Sequence, residues 1–150
     1  MADDITIEGS RATWVLPPTD GRMGGTYTGR FVFNCFLAPT DMLKAGRVYR
    51  SLLGEHAGMA TTEEGHIAFA LTQLKFRVVS APPFWTSTLQ DSEFSGNIGD
   101  LNIIGLVLDA AMEAEVAFKE KIVKEREALL ERSIKVAEQL LNKGEDNGDI

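Results

Sequence analysis

Two histidines, one cysteine and a scatter of carboxylates are the side chains in this 150-residue chain that could do chemistry. His56 and His66 stand in polar segments, and neither pairs with a cysteine or a second histidine at a spacing that closes a tetrahedral zinc site. Asp109 and Glu113 share one helix face and read as a surface acid pair. The glycines of "GRMGGTYTG" precede a strand and lack the Gly-Lys-Ser/Thr ending, so they fail as a phosphate loop. No nucleophile elbow supports a hydrolase. Cys35 lies in the apolar run "FVFNCFL" with no histidine close by in sequence, which predicts a buried, reduced thiol rather than a nucleophile. The expectation is a protein without catalytic residues, metal or cofactor, and therefore not an enzyme.

With no catalytic constellation to position, the elements matter for the surfaces they create. Residues 1–25 carry Pro17-Pro18, Asp20-Gly21 and Gly24-Gly25 around "TWVL". Such turn chemistry predicts an extended N-terminal arm anchored by Trp14 and Leu16, either on its own body or on a neighbour. In "TYTGRFVFNCFL" (26–37), Phe31, Phe33, Cys35 and Leu37 alternate on one face and Val32 and Phe36 lie on the other. This is a strand with apolar groups on both sides, one of which another chain could cover. Residues 39–54 follow helix grammar, with Thr40 or Asp41 to cap the start and Gly54 to end it.

A second helix, 61–76, opens with Thr61 and Glu64 in capping-box spacing. Ile67, Ala70, Leu71 and Leu74 form one stripe, while Phe69 and Phe76 lie nearly opposite. That arrangement suits a helix held between two layers. The stretch "LKFRVVSAPPFWTS" (74–87) then turns strand-like and stops at Pro82-Pro83. The two prolines stiffen the exit and fix where Phe84 and Trp85 project, as a lid on the core or as an exposed anchor.

Asp100 or Asn97 can cap a long final helix, whose Leu101, Ile104, Leu108, Ala111 and Phe118 follow 3–4 spacing and should pack on the body. Gly105 falls within that stripe and would permit close helix contact. Beyond residue 116, Ile122-Val123, Leu129-Leu130 and Val136-Ala137 recur every seven residues, with Ile134 and Leu140-Leu141 between. This segment either lies along its own domain or reaches into a bundle or another subunit. The domain plan is a 1–25 arm, a 26–119 α-rich body, a 120–143 amphipathic extension and a 144–150 acidic, disordered tail. The fold class is α+β, mainly α with a small β element.

Twenty-two acids against 15 bases give a net charge of −7, which repels phosphate backbones and argues against direct nucleic-acid binding. No run approaches the roughly 20 apolar residues that span a bilayer, and "MADDITIEG" lacks the regions of a signal peptide. Neither a membrane nor a small-molecule substrate is expected. The surplus of apolar side chains points instead to protein contacts through Trp14, Leu16, Phe69, Phe76, Phe84 and Trp85. A second set lies in the extension: Ile122, Val123, Leu129, Leu130, Ile134, Leu140 and Leu141.

Taken in order, "GTYTGRFVFNCFLAPTDMLKAGRVYRSLLG", "IAFALTQLKFRVVSAPPFW" and "LNIIGLVLDAAMEAEVAFKEKI" resemble small structural and assembly proteins of tailed bacteriophages. The shared pattern is a short strand, a "T-D" helix, an "A-x-A-L-x-x-L" helix, a "P-x-W" loop and a helix ending in mixed charges, over residues 25–122. Tail assembly chaperones and some virion accessory proteins have this layout. The long C-terminal extension departs from the shortest such chaperones. The resemblance implies a non-enzymatic, soluble virion component, in the capsid or tail, working through contacts with its own copies or with other phage structural proteins. Alternatives are a tail assembly chaperone that holds tail or tape-measure segments in the host cytoplasm, and a cytoplasmic coiled-coil adaptor.

Overall fold

Three consecutive strands come first in the chain, and the helices that follow cover one face of the sheet they build. The computed structural model describes residues 4–22, 24–54, 57–86 and 100–148. In chain order the elements are β1 (Thr6–Glu8), β2 (Arg11–Asp20), β3 (Thr26–Asn34), α1 (Pro39–Leu53), a short 3-10 turn (Ala57–Met59), α2 (Thr62–Arg77), β4 (Val78–Ser80), α3 (Pro83–Thr86) and α4 (Leu101–Gly148). The fold is α+β, with an antiparallel four-stranded sheet in the order β1-β2-β3-β4.

The two long strands set the core. On β2, Ala12, Trp14 and Leu16 are buried on one face, and on the β3 side Phe31, Phe33 and Cys35 are buried on the same face. Register places Trp14 opposite Phe31, an aromatic cross-strand pair of the kind that stabilises a sheet, and the small Ala12 opposite Phe33. Helices cover this face with Leu74, Trp85, Ile103, Val107, Ala110 and Ala114. The other face is open: Val15 is exposed, and Val32 is only partly buried. Among the described residues β3 is therefore covered on one side, not on both.

Several boundaries differ from the sequence expectation for physical reasons. Residues 6–20 are not a separate arm but two strands of the sheet. The chain divides into a first unit, Met1–Val116, and a second, Ala117–Ile150, so the body begins at the N-terminus. Pro17 and Pro18 fit inside β2 because they fall in the register shift between Leu16 and Thr19, while β1 pairs only as far as Thr13. Proline lacks an N–H, and at that point the ladder asks for none. Helix α1 begins at Pro39 with Ala38 as its cap residue and no side-chain cap. Proline at the first turn removes an N–H that would have been orphaned anyway. Neither Thr40 nor Asp41 is the cap.

At α2 the Thr61 hydroxyl accepts from the Glu64 N–H, as the capping spacing requires. The helix touches α1, β3 and β4. At α4, Asp100 is buried and its Oδ1 accepts from the N–H groups of Asn102 and Ile103. The inward face of α4 is Ile103, Ile104, Val107, Ala110, Ala111 and Ala114. Leu101 is exposed, so the packed stripe is rotated from the one the spacing suggested. Gly105 makes no close approach, since a Cβ there would meet nothing within 4 Å. Helical backbone continues to Gly148, past the expected end at 143, because propagation adds a hydrogen bond per residue once a helix exists.

Candidate functional site

The stiff Pro82-Pro83 exit delivers its aromatics inward. Trp85 is 1% exposed, with its ring edge-on to Phe31 at a centroid distance of 5.3 Å. Phe84, partly buried, meets Tyr27 at 5.0 Å and Phe31 at 6.2 Å. Gly29 makes this docking possible. Its φ is +152°, and a Cβ there would collide with the Pro82 ring. The loop is thus a lid on the core. Trp85, Trp14 and Leu16, expected as contact residues, are buried side chains of the first unit. Trp14 stacks near Phe31 and Phe33.

Phe69 and Phe76 divide. Phe76 is partly buried near β3, and its carbonyl accepts from the Asn34 amide. Phe69 is 42% exposed. It lines a cavity of about 480 Å³ formed by α1, α2 and the part of α4 within the first unit. Leu37, Met42, Ala45, Phe69 and Met112 supply apolar walls, and Tyr49, Arg50, Arg77 and Glu115 supply polar ones.

Arg77 is the unusual member. It is a charged side chain only 4% exposed at the end of α2. Its Nε donates to the Gln73 Oε1 at 2.9 Å, and its Nη2 reaches the Glu115 Oε1 at 3.4 Å. Nη1 is buried with no hydrogen-bond partner. An unsatisfied buried donor costs about 1–3 kcal/mol, and more when charged. Nothing in the sequence marks this residue, because an arginine in the last turn of a helix ordinarily lies in solvent beside the helix dipole.

The second unit is a single run of helix, and the apolar positions expected along it are exposed, Ile122 alone being partly buried. At about 100° per residue, Ile122, Leu129, Val136 and Leu140 form one ridge, and Val123, Leu130, Ile134 and Leu141 form another roughly 110° away. Between the ridges run Arg126, Ser133 and Ala137. The Ser133 hydroxyl donates to its own helix at the Leu129 carbonyl, 2.9 Å away, which leaves that strip short. A two-stranded coiled coil uses one narrow seam. Two ridges this far apart fit a helix with neighbours on two sides.

Among the ligand-type residues, Cys35 is buried and in no disulfide. His66 is exposed on α2, and His56 lies outside the described residues. Glu63 and His66 have the three-residue spacing of a carboxylate–imidazole pair, but both are exposed and no cluster of three or more such side chains exists among the described residues. Asp109 is exposed and Glu113 partly so. No described helix is long and apolar enough to cross a membrane.

Compared with protein-family models, with curated proteins and with solved structures, the chain has no match.

Proposed function

We propose that this chain is a non-enzymatic structural component of a bacteriophage particle, engaged through protein contacts along the second unit of α4. The observation that carries this reading is the pair of exposed ridges, where Leu130 is 62% and Leu141 69% exposed. Each such side chain gains roughly 1.5–3 kcal/mol when fully buried, so the ridges hold a large unused driving force for association. The phage setting draws on the resemblance over residues 25–122. The mixed charges beside the ridges keep the free helix in water and supply a polar rim for an interface.

Purified particles analysed by mass spectrometry should contain the chain in stoichiometric copies. Leu130→Glu should remove it from those particles while its circular dichroism stays helical. A chain absent from mature particles would reject the virion role. It would promote the tail assembly chaperone, whose client would come down with the chain on co-expression. The chaperone reading draws on a separate feature, the exposed Met42, Leu43 and Phe69 of α1 and α2.

A further inference from the structure

We propose that the cavity between α1, α2 and the first-unit part of α4 binds a small carboxylate carried on an apolar body, such as a medium-chain fatty acid. This goes beyond the protein contacts of the second unit and stands independently of them, since every lining residue belongs to the first unit.

Three observations carry it. At about 480 Å³ the space lies within the roughly 300–1,000 Å³ of small-molecule sites, and its walls are mainly apolar. Its charged lining is two guanidiniums, Arg50 and Arg77, against one carboxylate, Glu115, which leaves one positive charge to be met by a monoanion. Arg50 is exposed at the rim and makes no ion pair with a described residue.

The third observation is the state of Arg77. A guanidinium offers five donors in a planar fork that matches a carboxylate in two parallel bonds. Here the fork is half used. Nη1 has no partner, and the 3.4 Å contact from Nη2 to Glu115 is longer than the roughly 2.7–2.9 Å of a good charge-assisted bond. A ligand carboxylate entering beside Glu115 shares Nη2 and, once the guanidinium turns to bring its buried Nη1 to the cavity, takes up Nη1 as well, while Arg50 closes over it from the rim. The apolar body lies against Met42, Phe69 and Met112. An uncharged ligand of the same shape would fill the walls and leave the fork as it is. A cationic one would meet the wrong sign.

The test uses the full chain with methyl-labelled methionine, and decanoate, decanol and decyltrimethylammonium as probes well below micelle formation. Decanoate should shift the Met42 and Met112 methyl signals saturably, with one molecule per chain, and leave Met59 unmoved. Decanol should bind about tenfold or more weakly, and the cation more weakly still. Arg50→Gln, at an exposed position that keeps the fold, should weaken decanoate several-fold without changing decanol. Glu115→Gln, which removes the competing carboxylate, should tighten it. Equal binding of decanoate and decanol, or shifts that miss Met42 and Met112, would overturn the proposal whatever the particle experiments show.

Discussion

Replacing Trp85 by alanine separates a core lid from a contact anchor. The indole is 1% exposed and packs edge-on against Phe31. A Trp side chain buries roughly 150–250 Å², which at about 25 cal/mol per Å² corresponds to roughly 4–6 kcal/mol. Alanine keeps the Cβ share but loses most of the rest, together with about 0.5–1.5 kcal/mol from the ring pair. Opposing this, the Trp85 Nε1 is buried without a partner, and deleting it recovers about 1–3 kcal/mol. The net expectation is a loss of about 3–5 kcal/mol, in line with large-to-small aromatic replacements in cores. Against a total stability of about 5–15 kcal/mol, that is a large fraction.

Trp85→Phe sharpens the experiment. It keeps the ring against Phe31 and removes the orphaned N–H, so it should cost only about 1–2 kcal/mol. Urea denaturation followed by far-UV circular dichroism reads both variants without relying on the tryptophan they remove. The alanine variant should lower the midpoint by more than about 1 M, with phenylalanine well above it. A Trp85→Ala unfolding free energy within about 0.5 kcal/mol of the parent, with association lost instead, would refute the burial on which the magnitude rests.

Two glycines should answer alanine with opposite signs. Gly105→Ala, in mid-helix with open space around the new Cβ, should stabilise by up to about 1 kcal/mol, seen as a higher melting temperature. Gly29→Ala must place a Cβ into Pro82 at a φ of +152°, and should cost about 2–4 kcal/mol from overpacking and backbone strain together. A stabilised Gly29 variant would mean that the Pro82–Trp85 lid docks elsewhere.

Local chemistry was legible in the sequence and three-dimensional pairing was not. Thr61 and Glu64 name the start of α2 because the capping bond spans three residues. Gly54 names the end of α1 for the same reason of short range, with its φ at +76°. Strand β2 was hidden because Pro17-Pro18 argue against a strand until the bulge and the short β1 are known. The inward face of α4 was misplaced because an apolar-rich helix start such as "LNIIGLVL" supports more than one stripe, and only the sheet beneath chooses between them. The candidate cavity had no local signature at all. Its key residue, Arg77, is charged at the end of a helix, and its burial arises from α1 and α4 closing over it.

Both outer strands of the sheet, β1 and β4, are three residues long. Unsatisfied strand borders invite intermolecular ladders that grow without limit, and past Thr13 the border is β2 itself, where Pro17-Pro18 remove two donors and blunt that invitation. A molecule whose helices keep so much grease on display would otherwise be at risk of fibre growth. Exposed side chains on helices can pack only against a surface of matching shape, so the count of neighbours they admit is finite.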